Sequence, residues 1–200
     1  MAIDKQRLLR AAEFLKEIAN APADAVIDAD RARDAIATCL ALKDPRSPMK
    51  TEMFDAFALH ATSIAVEGVC FRREAGGRLE VLLEHRDDPL YRGCESSPGT
   101  VIRVTDSGPD AALERLTASE FRVPTRYEFV RDVYLANGRR GWFESKVYLA
   151  FPERETALGR WFPADPLPPD SGDFRIVSAH RDIVLPAAIA GYKAWEKART

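Results

Sequence analysis

The sequence predicts an α/β sandwich with a mixed sheet, preceded by a short helical N-terminal extension at residues 1–58. Strand-like runs at 62–71, 79–84, 127–135 and 142–151 interleave with helix-like stretches near 109–121 and 182–198. The first 58 residues, by contrast, carry only helical periodicity. With 46% hydrophobic and 30% charged residues, the 200-residue chain has enough apolar material for a substantial core.

Each element has its own signal. Leu8, Leu9, Ala12, Leu15 and Ile18 recur at three- and four-residue spacing among charged neighbours, and Ala21-Pro22 ends that helix. Asp28 is placed to cap a second helix that runs through Ala35, Ile36, Cys39 and Leu40 to about Leu42. Asp44-Pro45-Arg46-Ser47-Pro48 reads as a linker. Two short helices bury little apolar area alone, so the extension is expected to be a structural cap, with homodimerisation through it as the second expectation. The strand at 62–71 turns at Gly76-Gly77 into the strand at 79–84. Val101-Ile102-Arg103-Val104 is a short apolar run, and the helix after Pro109 stops before Pro124. A second hairpin crosses Asn137 to Gly141. The final helix carries Pro186 in its early part.

Charge narrows the partners. The net charge is −2, from 29 basic and 31 acidic residues, without the basic excess of a chain that lives on nucleic-acid phosphates. No nucleic-acid partner is expected. Nor is a membrane partner, since no stretch approaches the roughly 20 apolar residues of a span. Cys39, Cys70 and Cys94 suit neither a disulfide framework nor a zinc knuckle, which fits a reducing cytoplasm. Met1 to Lys5 leads into a charged helix and not an apolar signal core.

Residues 60–200, about seven tenths of the chain, resemble the Nudix hydrolase superfamily. The resemblance is carried by order and spacing: His85-Arg86-Asp87-Asp88-Pro89, then Ser97-Pro98-Gly99, the helix with Ala111-Ala112-Leu113-Glu114-Arg115-Leu116, Val147-Tyr148-Leu149-Ala150, Trp161-Phe162-Pro163 and His180 before a closing helix. It implies a sheet sandwiched between helices and a box G-x5-E-x7-R-E-U-x-E-E-x-G-U, with U aliphatic. The box glutamates, three and four residues apart on one helix side, hold divalent cations that neutralise a diphosphate and activate water. Here Gly99 serves as the first glycine. An ungapped count puts Thr105 at the first glutamate, Leu113-Glu114 at Arg-Glu and Thr117-Ala118 at the metal pair. Sliding by one gives Asp106, Glu114-Arg115 and Ala118-Ser119. In neither register does the metal pair contain a carboxylate. Losing one major electrostatic element of such a site commonly costs on the order of 10²–10³ in rate.

The resemblance therefore implies a nucleoside-diphosphate derivative or other small ligand bound without efficient magnesium-dependent hydrolysis, with no cofactor expected. The alternative is a divergent hydrolase of nucleoside diphosphates linked to another moiety, using magnesium and displaced acids such as Asp106, Asp110, Glu114 and Glu120. A third reading is an interaction module working through apolar N-terminal helices. Glu114 and Glu120 are the candidates for residual acid/base work, against exposed surface and a solvated helix end respectively. Arg86, Arg92, Gly99 and Arg115 are the candidates for substrate contact, and no residue is assigned to metal. His85 and His180 are single imidazoles, and His180 is expected to pack or cap at the last helix. Cys94 has no histidine beside it to make it a nucleophile. Trp142, Trp161 and Trp195 read as core or interface residues, with base stacking as the other option.

Overall fold

The computed structural model describes residues 5–22, 25–42, 58, 62–88, 90–137, 141–172 and 174–199. The expected linker at 44–48, Pro89 and the hairpin residues 138–140 lie outside them. The chain divides into two compact units, residues 1–48 and 49–200.

In the first unit, α1 (Lys5–Ala19) and α2 (Ala29–Leu42) meet through Ala11, Phe14 and Ala35. The Asp28 carboxylate accepts the Asp30 and Arg31 amides at 2.9 and 3.1 Å, the cap its position suggested. Arg31 lies over the Phe14 ring at 4.7 Å and pairs with Glu17 at 2.6 Å. Leu9, Leu15, Ile36 and Leu42 are exposed.

The second unit is built on a seven-stranded mixed sheet: β1 (Ser63–Arg73), β2 (Leu79–His85), β3 (Glu95–Ser96), β4 (Gly99–Val101), β5 (Thr125–Asn137), β6 (Gly141–Pro152) and β7 (Arg160–Pro163). The main order is β3-β2-β1-β6-β5. β1 runs parallel to β6, while one of its edges is shared between β4, at Ala65 to Glu67, and β2, at Phe71 to Arg73. A sheet covered on both faces has no solvent side, so β1 is buried continuously from Ala65 to Phe71 and does not alternate. One face packs Val69, Val81, Val147 and Leu149 against α4 (Leu185–Lys197). The other packs Val66, Leu82 and Ala150 against α3 (Pro109–Leu116). Gly68 lets α3 approach: a Cβ there would sit 3.2 Å from Leu116 and Tyr127.

The expected helix after Pro109 is α-helical only to Leu116 and then opens into a π turn, Thr117–Phe121, closed by Arg122 at φ 55°. A second π turn, His180–Val184, leads into α4. The short strands β3 and β7 were not anticipated. Trp142 is exposed and not a core residue (61% accessible). No described helix is long and apolar enough to cross a membrane.

Candidate functional site

A carboxylate buried inside a sheet is costly unless it is bonded or protonated. Glu67, on β1 between Val66 and Gly68, is such a residue. Ser145 Oγ, on β6, donates to its Oε1 at 3.3 Å, and Ser97 Oγ lies 3.4 Å from its Oε2. Burial, the largest influence, lifts the Glu67 carboxyl to about 8 despite the nearby Arg86 and these two hydroxyls. Gly99 on β4 makes the room, because a Cβ at 99 would fall 2.2 Å from Glu67 Oε2. The glycine expected to open the box is thus the cradle of a buried acid.

Ser97 also joins the strand segment to the closing helix. Its amide donates to His180 Nδ1 at 3.2 Å, and its hydroxyl lies 2.8 Å from the same nitrogen. Burial, with Arg86 adding to it, lowers the imidazole to about 3, so the ring is neutral across the physiological range. These groups open on a cavity of about 130 Å³ whose wall includes Glu67, Arg86, Ser97, Gly99 and His180.

Two further glutamates approach. Glu120, in the first π turn, is pushed to about 8 by burial and by Glu84 and Glu67, against the Gly99 N–H, which favours its ionised form. Its Oε2 is buried without a partner. Glu84 on β2 is raised as well, chiefly by burial. Arg86 donates from Nε to Asp88 at 2.6 Å and lies 5.6 Å from the Tyr91 ring centre. With Glu67 protonated near neutral pH, Arg86 is the charged side chain of the cavity wall.

Of the residues singled out from the sequence, Arg86, Gly99 and Glu120 meet here. Glu120 is largely buried and not a solvated helix end. Glu114 and Arg92 are exposed. Arg115 is occupied elsewhere: it pairs with Asp106 at 2.6 Å and donates to Thr100 Oγ1 at 2.6 Å and the Val101 carbonyl at 2.9 Å. That guanidinium holds the Asp106 carboxyl below its ordinary range. Arg115 braces the strand-to-helix loop. His85 has a partner in Glu95, at 3.2 Å.

Among solved structures, a MutT/nudix family protein from Enterococcus faecalis matches with a TM-score of 0.52 at 16% identity, over 96% of this chain and 76% of that one. The chain has the Nudix fold. The NUDIX domain of Shewanella oneidensis NrtR, in complex with ADP ribose, matches at 22% identity and TM-score 0.48, over 77% of this chain and 96% of that one. NrtR of the same organism in complex with a 27mer DNA matches at 20% identity and TM-score 0.48, and this chain spans 61% of its length. No family model and no curated protein matches.

The Nudix fold raises the question which of these residues could hold a magnesium ion. The shifted count puts Ala118 and Ser119 at the metal pair, and both are exposed. Both Glu67 oxygens face serine hydroxyls. Among the described residues no three His, Cys, Asp or Glu side chains converge as a cation would need. Sequence reasoning missed Glu67, Ser97 and Ser145. The available signal was Glu67 itself, one charge in the apolar run Ile64-Ala65-Val66-Glu67-Gly68-Val69.

Proposed function

We propose that this Nudix-fold protein binds a nucleoside-diphosphate derivative or another small anionic ligand in the Arg86–His180 cavity, without efficient magnesium-dependent hydrolysis. The observation that carries this reading is the state of the cavity's acid. Glu67, the acid in the wall, is bonded to two serines and raised to about 8 by burial, so the wall is not anionic near neutral pH. An anion can then enter beside Arg86 without meeting an ionised Glu67 in the wall.

Thermal unfolding in the presence of a chelator, against a panel of dinucleotides and nucleotide sugars, tests the reading. A ligand that binds the native state at a hundred times its Kd adds about 2.7 kcal/mol. At least one member should stabilise the chain without metal, and Arg86→Gln should weaken that effect. A panel in which nothing stabilises the metal-free protein would contradict the proposal.

The second reading, a hydrolase with displaced acids, draws on the approach of Glu67, Glu84 and Glu120 to one another. It requires that magnesium stabilise the chain and support cleavage.

A further inference from the structure

We infer that His180 is the cavity's recognition donor: Ser97 holds Nδ1 as an acceptor, so the ring presents Nε2–H to the cavity, where it and Arg86 receive the phosphate oxygens of a diphosphate group. The inference rests on the ligand reading above and adds which side chains select that ligand.

The hydrogen bonds to His180 fix its tautomer. A neutral imidazole has one N–H and one lone pair. A backbone amide can only donate, so the Ser97 N–H bond at 3.2 Å makes Nδ1 the lone-pair nitrogen. The Ser97 hydroxyl, 2.8 Å from the same nitrogen, then donates to it too. Its oxygen is left as the acceptor facing Glu67 Oε2, which a protonated Glu67 can satisfy by donation. All three groups agree only if the proton sits on Nε2.

Nδ1 is committed to Ser97, and His180 lines the cavity, so Nε2–H is the hydrogen-bonding group the ring has left to offer a ligand there. The charged groups around it are Arg86, which opposes protonation of the ring, and Glu67, reached through Ser97. A fixed neutral donor beside a guanidinium suits an oxyanion with two or more acceptor oxygens. Arg86 is itself steadied by Asp88, so both donors are set before the ligand arrives, which limits the ordering that binding requires.

Two measurements on the full chain decide the matter. Histidine ¹H–¹⁵N correlation spectra should give His180 the Nε2–H tautomer pattern, unchanged between about pH 5 and about pH 9. Ser97→Ala should let the second tautomer appear. Titration calorimetry with inorganic pyrophosphate and with ADP should show binding to the unmodified chain. His180→Leu should lower that affinity about tenfold or more, and His180→Gln, which keeps an N–H donor, should retain more of it. Circular dichroism establishes that the variants are folded. An Nδ1–H pattern, a titrating ring, or a folded His180→Leu that binds pyrophosphate as tightly as the parent overturns the inference. These outcomes leave the ligand reading standing if the nucleotide panel still binds. A panel without any binder overturns that reading whatever the tautomer.

Discussion

At the scale of single residues, Glu67 and its neighbours set how stability depends on pH. The ordinary glutamate value is 4.5, and burial holds Glu67 and Glu120 at about 8. Between those values the folded protein keeps protons that the unfolded chain has released. Stability is full below the lower value and is lost as pH rises toward the upper one. His180 acts in the opposite sense, because lowering it from 6.5 to about 3 makes the unfolded chain the better proton acceptor below 6.5. From 6.5 to 8 the two carboxyls act and the imidazole does not. Denaturant unfolding should show stability falling over that interval, by up to about 1.4 kcal/mol per pH unit for each group. Glu67→Gln should remove its share of the slope, and a variant with the parent's slope would refute the assignment. Gly99→Ala should be destabilising by about 1–3 kcal/mol, since its Cβ would fall on the Glu67 carboxyl and within 3.1 Å of the Val66 carbonyl. Equal unfolding midpoints would contradict that. A charge inside an apolar strand was legible at Glu67. Its partners Ser97 and Ser145, 30 and 78 residues away, were not, because no local pattern encodes which hydroxyl a fold delivers.

At the scale of elements, the π turn after α3 accounts for what the box could and could not reveal. In an α-helix the residue above Leu116 would be Glu120, but the wider turn places Phe121 there, five residues on and fully buried. The Arg122 amide reaches back to the Thr117 carbonyl, and Thr117 Oγ1 meets Tyr127 Oη at 2.9 Å. One residue of phase is thereby added within the helix. A 3.6-residue period cannot register that. The hairpins and long helices were readable because their periods of two and 3.6 run over many residues. β3 and β7, two and four residues long, offered too little pattern. The exposure of Ala118 and Ser119 makes a direct trial possible. The double variant Ala118→Glu, Ser119→Glu should change stability by no more than about 0.5 kcal/mol without metal. If these are the pair positions, millimolar magnesium should then raise its unfolding temperature. A folded double variant indifferent to magnesium would contradict the shifted register.

At the scale of the whole molecule, the order of strands and helices was enough to read the sandwich, since two long hairpin strands, a central helix and a closing helix leave few ways to cover a mixed sheet. The cavity was not readable. It forms where β1, β4, the segment after β2 and the turn before α4 converge, and its wall joins residues from Ala65 to His180. The proposed function is that this Nudix fold binds an anionic ligand in the Arg86–His180 cavity without efficient magnesium-dependent hydrolysis. The most direct test is to incubate the unmodified chain with millimolar magnesium and the dinucleotide and nucleotide-sugar panel, then quantify intact and cleaved species by mass spectrometry. Ligand retained on the protein with no magnesium-dependent cleavage is the expected result. Robust turnover that appears with magnesium and vanishes with chelator would contradict the account.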